Sequence, residues 1–107
     1  MIYKFKSAAA ADVIMMGPNG DQLLRLMGRE PGPQGIVTQA QLGAAISALD
    51  QAVAEDEAEF ARLQAEAQAA GEPAPKREGI SLRQRAWPLL EMMRLSLAQG
   101  QDVIWGA

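Results

Sequence analysis

The stretch KREGISLRQRAW holds the densest chemistry in the chain. Lys76, Arg77, Arg83 and Arg85 stand there against one acid, Glu78. Arg83 and Trp87 are four apart, so a helix would bring them together as a cation–π pair. Such a basic, aromatic surface suits an acidic partner, and less well a phosphate-bearing ligand. The plain alternative is a solvated helix face with Trp87 covering the edge of the core. A second stretch, GPNG at Gly17–Gly20, sits between an apolar run and a helical one. Backbone N–H groups at such a junction can cradle an anion, which makes Asn19 and Gly20 a candidate ligand turn. It is neither the dinucleotide glycine pattern nor the Walker loop, and Asp21 would offset the positive end of the helix.

The acidic stretch DQAVAEDEAEF carries Asp50, Glu55, Asp56, Glu57 and Glu59 with no base before Arg62. The calcium-loop pattern and its glycine are absent, and on a helix these side chains fan around the axis, so no metal site is expected. Their charge complements the basic stretch, within one chain or across a homodimer. Catalysis has little to work with. The chain has no His and no Cys, which leaves Ser7, Ser47, Ser81 and Ser96 without their usual activating base. Asp12, Asp21 and Asp102 lie near strand or helix starts, where capping explains them as well as acid–base chemistry does. No catalytic residue and no cofactor is assigned. A net charge of −3 argues against nucleic acid as a partner.

The elements that position these groups follow from periodicity. The chain has 107 residues, 49% of them hydrophobic and only 5% aromatic, which is one domain with an aliphatic core. IYKFK alternates strictly and reads as a strand with one wet face. DVIMM, at Asp12–Met16, is apolar on both faces and reads as a central strand buried on both sides. Asn19 as N-cap and Gly28 after the end frame a short helix over 20–27, with Asp21 in its first turn. Arg29–Gly35 reads as a loop. Thr38 and Gln41 form a capping box, and Val37 and Leu42 a hydrophobic staple. Leu42, Ile46, Leu49, Val53, Phe60 and Leu63 continue that helix to about Ala70.

Roughly 30 residues at 1.5 Å each would make a helix of about 45 Å. A compact chain of this size has a radius of gyration of about 13 Å. Either the helix breaks near Glu55–Glu57, or its second half projects. Residues 71–79 read as a mobile linker between the two longest helices. Ser81 and Gln84 form a second capping box. Leu82, Ala86, Leu89, Leu90, Met93 and Leu97 then stripe a helix to Gln99, which Pro88 should kink. DVIW, at Asp102–Trp105, is the last strand, and its echo of Asp12–Ile14 suggests a neighbouring place in the sheet. The expected fold is α+β: a small sheet of about three strands with helices packed on one face, in the order β-β-α-α-α-β.

Several stretches, in one order along nearly the full chain, resemble a known family. They are YKFKS…DVIMMGPNGDQLLRLMG, EPGPQGIV and SLRQRAWPLLEMM…DVIWG. The family is one of small proteobacterial proteins catalogued as domain of unknown function number eighteen-forty. The resemblance implies a stand-alone, single-domain bacterial protein. It carries no activity, ligand or catalytic residue over to this chain.

The opening residues lack the apolar core of a signal peptide, and no run reaches the roughly 20 apolar residues of a membrane span. The expectation is therefore a cytoplasmic protein with no membrane partner. The sequence points to a small protein-interaction or regulatory module acting through its long amphipathic helix. Phe60, Leu63, Arg83, Arg85 and Trp87 form the candidate surface, for a protein partner that includes a second copy in a homodimer. The alternative is a small-molecule or anion binding domain at Gly17–Gly20.

Overall fold

The computed structural model describes residues 1–77 and 79–106. Strand β1 (Ile2–Ser7) and strand β2 (Ala10–Met16) form an antiparallel hairpin, with Ile2 opposite Met16 and Phe5 opposite Val13. The register shifts between Phe5 and Ser7. Alternation sends Tyr3 and Phe5 inward, where both are buried. Strand β3 (Gly35–Val37) and strand β4 (Val103–Trp105) complete a four-stranded antiparallel sheet of order β2-β1-β4-β3. The fold is α+β, as expected, with one strand more. Three residues between the Pro-containing loop and the Thr38 cap are too few to show an alternating pattern. β3 overlaps the stretch that reads as loop only at Gly35, and it uses Val37, which reads as part of the hydrophobic staple.

Strand β2 stands at the edge of the sheet and not in its middle. Its twofold apolar character does not mean burial on both sides, because Ile14 and Met16 point to an uncovered face. Strand β4 is the central one, and β1 separates it from β2, so the Asp-Val-Ile echo marks neither neighbours nor like environments.

Helix α1 (Gly17–Leu26) starts earlier than its sequence suggests. Met16 is the N-cap and Pro18 occupies the first turn, where its missing N–H costs nothing. Asn19 is therefore inside the helix. Asp21 lies past the first turn and accepts a hydrogen bond from the Tyr3 hydroxyl. Gly28 ends the helix at φ +80°, as predicted. Helix α2 (Gln39–Ala69) runs unbroken for 31 residues, or about 46 Å. The Gln41 side chain accepts from the Thr38 N–H at 3.0 Å. Leu42, Ala45, Leu49 and Val53 bury its first half. The second half projects, which is why the chain measures 52 × 28 × 22 Å with a radius of gyration of 15.9 Å.

Helix α3 (Leu82–Gln99) starts at the expected box: Ser81 Oγ accepts from the Gln84 N–H at 3.2 Å. It is assigned without interruption across Pro88. Its buried side turns through Met92, Met93 and Ser96, and Leu97 is exposed instead of continuing the stripe. Ser96 takes that inner place because its hydroxyl has partners there, the Ser7 hydroxyl at 2.6 Å and the Met92 carbonyl at 2.7 Å. The connection read as linker 71–79 contains Glu78, which lies outside the described residues. Lys4, Ile2, Ile14, Met16, Ile36 and Ile104 point away from the helices, on the other face of the sheet.

At the centre, Phe5 stacks on Tyr3 at 5.6 Å and 5° and meets Trp105 edge-on at 5.6 Å and 62°. Trp105 Nε1 donates to the Gly32 carbonyl at 3.0 Å. A Cβ on Gly35 would lie 2.0 Å from the Trp105 ring, whereas one on Gly43 in α2 would meet nothing. In urea unfolding, Gly35→Ala is expected to cost at least about 1–3 kcal/mol by overpacking. Gly43→Ala is expected to add roughly 1 kcal/mol through helix propensity. Burial first, and then the hydrogen bond and charge of Asp21, raise the Tyr3 phenol above its ordinary value of 10.0. The folded chain thus keeps a proton that the unfolded chain loses. This contribution is intact below about pH 10 and is lost as pH rises through the raised folded value. Urea midpoints followed to alkaline pH should fall less steeply for Tyr3→Phe than for the parent.

Candidate functional site

The second half of α2, the returning connection and the start of α3 enclose a cleft of about 280 Å³. Phe60, half-buried, comes from α2, and Arg77 lies over its ring at 4.3 Å. The same Arg77 sits 3.1 Å from Asp56. Lys76, Ile80 and Arg85 complete the wall. Arg85 is steered by α1: its Nη1 donates to Gln22 Oε1, and at 3.4 Å to Asn19 Oδ1. Asn19 and Arg85, which the sequence placed in two separate candidate sites, thus touch.

The remaining predicted residues scatter. Arg83 does not stack on Trp87; it reaches Glu57 on α2 at 3.0 Å. Trp87 is 52% exposed, and the cation over its ring is Arg94, at 5.9 Å. Arg94 also holds Asp50, at 2.8 Å. The acidic and basic stretches therefore pair within one chain, across the α2–α3 contact. Leu63 is 40% exposed and flanks a second shallow cleft, where Glu72, Pro73 and Pro75 run back along α2. Gly20 is not in a turn. It is buried in the first turns of α1, and a Cβ there would lie 2.1 Å from the Tyr3 ring. Its lack of a side chain serves that close approach.

The sequence reading missed the outer face of the sheet. Ile2, Ile14 and Met16 are 63%, 64% and 62% exposed, and Ile36 and Ile104 share their face. Lys4 pairs diagonally with Asp12 at 3.6 Å. The signal was present in DVIMM, where two of the three outward positions, Ile14 and Met16, are apolar.

A family model described as Domain of unknown function (DUF1840) matches residues 1–105. The chain belongs to this family. No curated protein and no solved structure is similar to it. What this DUF1840 chain can do is thus read from its own surface. Among the described residues, no group of three or more acids is placed to hold a metal ion. Also among them, no helix is long and apolar enough to cross a membrane. Two surfaces stand out in the geometry: an apolar sheet face and a cationic cleft.

The Phe60–Arg77 contact is the hinge of the cleft wall. A double-mutant cycle with Phe60→Ala and Arg77→Ala should return a coupling of about 0.5–1 kcal/mol in urea unfolding. A coupling near zero would mean that the connection does not rest on α2 in solution.

Proposed function

We propose that this chain is a small cytoplasmic bacterial protein-interaction module whose docking surface is the outer face of its sheet. One observation carries the reading: Ile2, Ile14 and Met16 lie exposed beside one another, and Ile36 lies beyond Lys6 and Ile104 on the same face, which points away from the helices. An antiparallel sheet with one wet face ordinarily turns polar residues outward. Contiguous exposed apolar surface on such a small domain marks an interaction site. The amphipathic-helix reading is narrowed, because the chain's own connection already occupies Phe60 through Arg77. Leu63 and Trp87 are secondary contacts in this reading. The cysteine-free composition suits a reducing compartment.

The partner's chemistry follows from the face. Lys4 is paired with Asp12, and among the described residues Lys6 has no ion-pair partner. The complementary surface is a protein patch of aliphatic side chains with a carboxylate near its centre. A second copy of the chain is one such protein, and light scattering across micromolar concentrations decides whether it is the one.

A photo-cross-linking side chain placed at Met16 in native cells is expected to give a discrete adduct. The same group at Ala58, on the projecting part of α2, should give none. Ile14→Glu should lower the adduct yield about tenfold without lowering the melting temperature, since Ile14 touches no core. Equal labelling at both positions, or an adduct indifferent to Ile14→Glu, contradicts the reading.

A further inference from the structure

Among the described residues, the cleft between α2 and α3 holds a cation with no carboxylate in ion-pair contact. Arg62, Arg77, Arg83 and Arg94 each have a carboxylate within ion-pair distance. Arg85 has none among the described residues. Its Nη1 rests on two neutral amide oxygens, from Gln22 and Asn19, and its Nε is enclosed and makes no hydrogen bond. Those amides orient the guanidinium without neutralising it. A half-buried guanidinium left in this way still has donors to offer an anion.

The surroundings define that anion. Lys76 brings a second positive charge to the wall, while Arg77 is already committed to Asp56. Helix α3 begins at the cleft, so the positive end of its dipole adds to the same field. Phe60 and Ile80 supply apolar surface beside the cations, and the volume of about 280 Å³ suits a small molecule. We infer that this cleft binds a small organic dianion with an apolar body, the chemistry shared by phosphate monoesters and dicarboxylates. Arg85 and Lys76 take the charge, and Phe60 and Ile80 take the body. The site is separate from the sheet face, and either can stand without the other.

Amide NMR titrations with phenyl phosphate, inorganic phosphate and glutarate test this. Phenyl phosphate is expected to shift the amides of Phe60 and of residues 81–85, and to bind about tenfold more tightly than inorganic phosphate. Glutarate binding as tightly as phenyl phosphate would place the natural ligand among dicarboxylates, and weaker glutarate among phosphate esters; either supports the site. Arg85→Gln should weaken binding about tenfold. Lys76→Gln should do the same, and because Lys76 is exposed its loss leaves the fold intact. Arg62→Gln, out on α2, should bind as the parent does. The inference is overturned if no probe shifts these amides, if shifts around Arg62 are as large, or if Lys76→Gln and Arg85→Gln bind unchanged.

Discussion

The row Tyr3–Phe5–Trp105 is what the rest of this chain is hung upon. Phe5 is fully buried between the other two rings, on the two middle strands of the sheet. Each outer ring then needs a neighbour with no side chain. Gly20 lets α1 lie against Tyr3, and Gly35 lets β3 lie against Trp105. Large flat rings over glycines bring backbone close and bury much apolar area for few residues. A domain poor in aromatics thus concentrates them where one ring can fix two elements. The Asp21 carboxylate and the Gly32 carbonyl close the row at its polar ends, by accepting from the Tyr3 hydroxyl and the Trp105 indole.

From this centre the structure grades outward. The helix layer is held by burial of Leu42, Leu49, Leu89, Leu90 and Met93. It is tuned by ion pairs that join α2 to α3 through Asp50 and Glu57, and α2 to the connection through Asp56. Exposed pairs contribute only about 0–1 kcal/mol each, so their main effect is to set the register of the two helices. Along the projecting part of α2 the core gives out. There the connection folds back, and Phe60 trades burial for contact with a guanidinium. The cleft exists because a helix longer than its domain had to be met by something.

Much of this was legible in the chain. Both capping boxes set helix starts, because Thr38–Gln41 and Ser81–Gln84 are local chemistry that needs no tertiary partner. The alternation of IYKFK fixed which side of β1 is wet, and the opposite charges of the acidic and basic stretches pointed to a pairing, within one chain or across two. What failed was anything that depends on the strands' neighbours. β3 is defined only by its partner β4 across a long sequence gap. The edge position of β2 is set by its neighbours and not by its own residues, and its apolar outer side mimics that of a strand buried on both faces. Gly17–Gly20 looks like a turn because glycine, proline and asparagine favour turns. Here Pro18 suits a helix's first turn and Gly20 is required by Tyr3, so tertiary packing overrode local preference. Arg85 was singled out for its charge alone; its amide cradle comes from α1, distant in sequence.

The strand order has a consequence for the time course of folding. β4 lies between β1 and β3, so β3 has no strand to pair with until the chain beyond residue 100 is present. The N-terminal hairpin and α1 can form early from local contacts. The inner half of the sheet must wait for one late insertion, in which Trp105 enters beside Phe5 and over Gly35 together. Contacts so distant in sequence slow folding and tie its last step to the burial of Trp105. Until that insertion the free side of β1 is an open edge, the state in which a chain of this design is most exposed to pairing with the wrong strand.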